Sequence, residues 1–167
     1  HVHTGFARDL TAGFERGDYD LILTVRHAAS SDAGSGRVLG QAQLVWIGAE
    51  HGDADLPLDG EAPLPLATFS PPCTFRQVAI DALNQAGIPW RVAYTTTSLP
   101  GLMAAVKSGL GVTARTEHAL VPGTAIVAPP AQLPSLPPVD VVLRHARQSR
   151  VGDLLEALFV ETPPRAA

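Results

Sequence analysis

Cys73 stands in the run Pro71-Pro72-Cys73-Thr74, between an apolar segment ending at Phe69 and an amphipathic one starting at Thr74. A thiol at a helix amino end can serve as a nucleophile or a redox sensor. No second cysteine is present to resolve an oxidised state, and no histidine is close in sequence, so an inert small apolar residue is the competing reading. Thr74 with Gln77 three residues on forms a capping-box pattern, and Thr95-Thr96-Thr97-Ser98 precedes a second amphipathic stretch beginning at Leu99. Each of these hydroxyl-bearing junctions is either an ordinary cap or a place where backbone N–H groups and small hydroxyls meet an acceptor-rich ligand such as a carboxylate. Arg26, at the end of the apolar run Leu21-Ile22-Leu23, is either a bidentate clamp for an anion or a solvated loop arginine.

Other patterns carry less. Gly109-Leu110-Gly111-Val112-Thr113-Ala114 has the dinucleotide spacing G-x-G-x-x-A, but it ends a helix and opens a strand, the reverse of what that fingerprint needs. Its glycines read as a helix stop and a tight turn. His1 and His3 share a strand face and the other four histidines are scattered, which is a poor ligand set for a metal. No phosphate-binding loop, nucleophile elbow or zinc-protease motif occurs. The expectation is no catalytic residue, no metal and no cofactor.

The net charge of −4 and only 12 Lys and Arg among 167 residues argue against a nucleic-acid surface on this chain. If the protein acts on DNA, another segment makes the contact. Apolar residues at 46% against 17% charged indicate a globular chain. No run approaches the ~18 apolar residues of a membrane span, so no membrane partner is expected. One cysteine excludes an internal disulfide and suits a reducing, cytoplasmic setting. The chain opens at His1 without an initiator Met and runs almost at once into a regular element, so it reads as a fragment.

The elements that must position these residues follow from periodicity. Phe6, Leu10 and Phe14 predict a helix over Phe6–Arg16, with Thr4 as its cap and Gly17 as its stop. Asp20–Val25 reads as a central strand of a parallel sheet, Arg26–Arg37 as a loop, Gln41–Ala49 as one strand, and Glu50–Pro65 as a connection. Strands at Leu66–Phe69, Arg91–Thr95 and Gly111–Ala114 then alternate with helices at Thr74–Ala86 and Leu99–Ser108, and a short strand follows at Ala125–Val127. Gly87 and Pro89 mark the end of the first of these helices. A five-proline connection over Ala128–Pro138 leads to a strand at Val139–Arg144 and an amphipathic helix at Gln148–Glu161 carrying Val151, Leu154, Leu155, Leu158 and Phe159 on one face.

Two Pro-rich connections bracket a βαβαβ block. This predicts an α/β chain with mainly parallel sheets and two lobes, one of residues 1–65 plus 128–167 and one of residues 66–127, with a ligand cleft between them.

Beyond this reading, the segments Cys73-Thr74-Phe75-Arg76, Ala82-Leu83, Ala86-Gly87-Ile88-Pro89-Trp90-Arg91, Ser98-Leu99-Pro100-Gly101-Leu102-Met103-Ala104-Ala105-Val106 and Gly109-Leu110-Gly111-Val112 resemble the effector-binding domain of LysR-type transcriptional regulators. They are most similar to the branch that includes the motility and virulence repressors LrhA, PecT and HexA. Asp9-Leu10 and Gly17-Asp18-Tyr19-Asp20-Leu21-Ile22-Leu23 resemble the family's early helix and strand. The motifs are individually loose, but they occur in the family's order over nearly the whole chain.

The resemblance implies a two-lobed periplasmic-binding-protein-like fold of type 2. It implies a small effector between the lobes, lined by Val25, Arg26, Pro72, Cys73, Thr74, Thr97, Ser98, Leu99 and Thr113; the two helix amino ends and Arg26 make a carboxylate the physically easiest choice. It also implies a winged helix-turn-helix outside this chain for DNA, assembly of the parent as a homodimer or homotetramer, and one more strand and helix of the first lobe before His3. Two rivals share the fold: a solute-binding protein of a transporter, and an enzyme such as a dehydratase acting on an aromatic acid. The first would carry a secretory signal and the second a proton donor beside the leaving group.

Overall fold

The four-residue recurrence of Phe6, Leu10 and Phe14 appears as α1 (Ala7–Arg16) in a computed structural model that describes residues 1–27, 36–51, 56–57, 62–127, 133–147 and 150–161. Its amino end carries no side-chain cap: Phe6, not Thr4, is the N-cap residue. Its carboxyl end closes with Gly17 at φ +82°, where the Gly17 and Asp18 N–H groups bond Phe14 O and Gly13 O. The chain continues through β1 (Leu21–His27), β2 (Arg37–Ala42), β3 (Leu44–Ala49), β4 (Leu64–Phe69), α2 (Thr74–Gln85), β5 (Trp90–Thr96), α3 (Leu99–Lys107), β6 (Thr113–Thr116), a 3₁₀ turn at Glu117–Ala119, β7 (Thr124–Ile126), β8 (Val139–His145) and α4 (Arg150–Glu161). The central parts of the expected Arg26–Arg37 loop and of both Pro-rich connections lie outside the described residues.

The described residues fall into two compact units, 1–43 with 137–167, and 44–136. In the first unit β8 is the middle strand, antiparallel to β1 on one side and to β2 on the other. β1 is therefore an edge strand of this sheet, and Leu23 is 37% exposed, whereas its apolar run had suggested a central strand. Val139, Val141, Val142 and Leu143 of β8 take the interior place instead. The apolar positions Val151, Leu154 and Leu158 of α4 are exposed.

In the second unit β3 pairs antiparallel with β6 and β7, and β4 pairs parallel with β5. A parallel bridge from Leu66 to Val112 links β4 to the start of β6. The core beneath α3 is built from Ile47, Ala67, Leu102, Met103, Ala105 and Val106. Burying such side chains contributes about 1.5–3 kcal/mol each.

The sheets are thus mixed, and the expectation of mainly parallel pairing is corrected. Parallel pairing holds where a helix crosses over, as α2 does between β4 and β5. β3 and β8 meet their partners antiparallel. The apolar run Gln41–Ala49, expected as one strand, is interrupted at Gln43: β2 bonds to β8 in the first unit, and β3 to β6 and β7 in the second. Hydrophobic content marks burial, but it does not mark a change of sheet or of direction. No helix among the described residues is long and apolar enough to cross a membrane.

Candidate functional site

β4 and β5 run side by side in parallel, with Phe69 opposite Thr96, so their carboxyl ends deliver two strand-to-helix junctions to the same edge of the second unit. The Ser70 N–H bonds Thr96 O at 2.9 Å and laces the junctions together. At the second junction Ser98 is the N-cap of α3. Its Oγ accepts the Gly101 N–H at 3.4 Å, its own N–H bonds Thr96 Oγ1 at 3.1 Å, and Pro100 occupies the first turn.

The first junction is built differently. Cys73, not Thr74, is the N-cap residue of α2 and makes no side-chain cap bond; the capping box expected of Thr74 and Gln77 does not form. The Gln77 amide instead donates to Asp81 Oδ1 one turn along the helix. The first-turn N–H groups of α2 therefore have no side-chain acceptor among the described residues. At its far end α2 closes on Gly87 at φ +69°, as expected, with the Gly87 and Ile88 N–H groups bonded to Asn84 O and Leu83 O.

Beneath the start of α2 is a recess with an open volume of about 10 Å³, room for little more than one water molecule. It brings together Cys73 and Thr113 of the expected site with four residues that sequence reasoning did not single out: Phe69, Phe75, Arg76 and Arg115. Arg115 is 6% exposed. Its guanidinium carbon lies 3.9 Å from the Phe69 ring centre and 4.8 Å from that of Phe75, a cation held between two aromatic faces. Its Nε has no hydrogen-bond partner. Burial lowers its pKa from the ordinary arginine range, an effect that the nearby Cys73 partly offsets. Arg76 is engaged through Nη1 by Thr68 Oγ1 at 2.8 Å.

The remaining expected contacts lie elsewhere. Pro72, Thr97, Ser98 and Leu99 are exposed on the junctions, and Thr74 is half-buried. Val25 and Arg26 belong to the first unit. There Arg26 Nε donates to Asp140 Oδ2 at 3.3 Å, and Gln41 Nε2 donates to Asp140 Oδ1 at 3.0 Å. Arg26 is thus oriented by a buried carboxylate on the neighbouring strand, which its position before a loop did not foretell.

A signal for Arg115 was present in the sequence: a cation within Val112-Thr113-Ala114-Arg115, a stretch otherwise free of charge and buried throughout. No group of His, Cys, Asp and Glu suited to a metal occurs among the described residues. Along α3 the unit also presents an open apolar groove of about 550 Å³, lined by Leu99, Pro100, Met103, Leu120, Val121 and their neighbours.

Comparison with known proteins gives one consistent result. The family described as the LysR substrate binding domain matches residues 1–161. The chain is similar to the HTH-type transcriptional regulator DgdR of Burkholderia cepacia, 38% identical over 120 residues that cover 70% of this chain and 38% of that protein. It is also similar to the HTH-type transcriptional regulator PecT of Dickeya dadantii, 30% identical over 129 residues that cover 77% of this chain and 39% of that protein. The chain therefore spans about two fifths of the length of these curated relatives. Among solved structures, the effector binding domain of QuiR in complex with shikimate superposes with a TM-score of 0.66 at 11% identity, over 94% of this chain and 78% of that one.

Proposed function

Because this chain belongs to the LysR substrate-binding domain family, whose members here are transcriptional regulators that bind small effectors, we propose that it senses a small carboxylate and passes that binding to a DNA-binding segment of its parent protein. The observation that carries the carboxylate is the pair of laced strand-to-helix junctions. One of them leaves the first-turn N–H groups of α2 without a side-chain acceptor, and such groups favour an anionic oxygen. The effector binding domain of QuiR, in complex with shikimate, gives a precedent for a carboxylate on this fold.

In this reading Cys73, Thr74, Thr97, Ser98 and Thr113 supply effector contacts. No bond is made or broken. The ligand acts through its differential affinity for two arrangements of the regulator. The parent works in the cytoplasm as a homodimer or homotetramer, and the exposed apolar groove along α3 is the surface suited to such contacts. The solute-binding alternative is not favoured, since the relatives are HTH-type regulators. The enzyme alternative lacks a carboxylate or histidine among the residues lining the recess.

The test is a titration of the full-length protein with DNA from upstream of its own locus, with and without shikimate and simpler carboxylates. Saturable, carboxylate-dependent change in DNA affinity is expected, weakened by Thr97→Ala and Ser98→Ala. Failure to bind any such DNA would refute the reading.

A further inference from the structure

Two arginines, Arg76 and Arg115, line the recess under α2, and none of the lining residues is an aspartate or glutamate. Among the described residues neither arginine takes part in a salt bridge. Arg76 has Thr68 as a hydrogen-bond acceptor, but Arg115 has only the two phenylalanine faces, and its Nε–H is buried without an acceptor. An arginine stays protonated in a protein and offers five donors and no acceptor. Aromatic faces satisfy its charge in part, but they do not accept the in-plane N–H groups.

An anion needs donors and positive charge, which is what the recess offers. Its volume sets the size: about 10 Å³ of open space admits a single compact atom and excludes a sulfate or a ring.

We propose that the recess formed by Phe69, Cys73, Phe75, Arg76, Thr113 and Arg115 binds one compact monovalent anion against the Arg115 guanidinium. This site lies wholly within the second unit, and the inference goes beyond the effector reading, because it holds whether or not the protein responds to a carboxylate on DNA. The compact anion is a free halide, because a carboxylate has three heavy atoms and the recess has room for one. Cys73 is the one lining group able to carry negative charge, which makes its thiolate the internal competitor for the position.

The test is chloride-35 NMR line broadening on the full chain, titrated with sodium chloride at constant ionic strength and then displaced by bromide in one arm and formate in the other. Saturable broadening is expected. Bromide should displace the chloride and formate should not; equal displacement by formate would show that the site is not confined to this one-atom recess and would overturn the proposal. Arg115→Lys keeps the charge but loses the Nε donor and the planar fork, so it should weaken chloride about tenfold. Arg115→Met should abolish the saturable component, and Cys73→Ala should retain it. Absence of saturable broadening in the unmodified protein would overturn the proposal, whatever the variants do. So would its persistence in folded Arg115→Met, or its appearance only after Cys73→Ala, which would show the thiolate to be the native counter-charge.

Discussion

Asp140 Oδ2 accepts the Arg26 Nε–H at 3.3 Å while Oδ1 of the same carboxylate accepts from Gln41 at 3.0 Å, so one buried acid on β8 ties down a side chain from each flanking strand. Asp140 is 7% exposed. Removing it takes from Arg26 Nε and Gln41 Nε2 the acceptor they share. Full burial would make the loss larger; with the Arg26 side chain 29% exposed, Asp140→Ala should cost about 1–3 kcal/mol in urea denaturation. The Arg26→Ala, Asp140→Ala double variant should lose less than the sum of the two single ones, because both remove the same Arg26–Asp140 bond. Strict additivity would show that the pair does not couple.

The two helix starts of the second unit should respond unequally to the same kind of change. Ser98 Oγ accepts the Gly101 N–H, so Ser98→Ala should destabilise the chain by about 0.5–1 kcal/mol, toward the low end for a cap because the bond is 3.4 Å long. Thr74 makes no cap bond, so Thr74→Ala should shift the urea midpoint by less than about 0.5 kcal/mol equivalent. Equal losses at both positions would contradict the cap assignment.

That contrast shows where the sequence was informative and where it was not. Helices with strong four-residue spacing and glycine stops, such as α1 ending at Gly17 and α2 ending before Gly87, could be read to within a residue or two. The partner of a cap could not: Thr74 and Ser98 have the same local pattern, and only backbone geometry decides which hydroxyl faces an N–H. Strand direction was equally hidden, since β3 is as apolar as a parallel core strand yet runs antiparallel to both neighbours. Of the recess, Cys73 was singled out because it stands at a recognisable junction, and Thr113 only through the family resemblance. Phe69, Phe75 and Arg115 meet only through packing of β4, α2 and β6, and nothing in their spacing along the chain announces a cation between two rings.

Trp46 illustrates the same dependence on tertiary contact. It is 5% exposed on β3, and its Nε1–H bonds Pro134 O at 2.8 Å, pinning the end of the second Pro-rich connection to the sheet. Trp46→Phe keeps a large ring but leaves that carbonyl without its indole donor. A loss of about 1–3 kcal/mol is expected, together with faster proteolysis near Pro134 than in the unmodified chain. Unchanged cleavage would show that the indole bond does not hold the connection.

Gly87 is required by backbone conformation alone, at φ +69°, whereas Gly111, at φ +156°, is required by conformation and by proximity, so the pair separates the two costs. A Cβ at Gly87 would meet nothing within 4 Å, so Gly87→Ala should cost only the left-handed penalty, about 1 kcal/mol. A Cβ at Gly111 would lie 2.4 Å from the Pro65 carbonyl oxygen and 2.8 Å from its carbon. That carbonyl accepts the Val112 N–H at 2.9 Å, and the Ala67 N–H returns a bond of the same length to Val112 O. The clash therefore cannot be relieved by turning a side chain; β4 and β6 must separate. Gly111→Ala should lose about 3 kcal/mol, the upper range for overpacking. Because β6 also carries Arg115, the separation should change the ring-current shift that Phe69 imposes on the Arg115 side chain, while Gly87→Ala leaves it alone. Equal stability losses with an unmoved Arg115 resonance in both variants would show that the strands tolerate the added methyl group and that Gly111 is not what sets their approach.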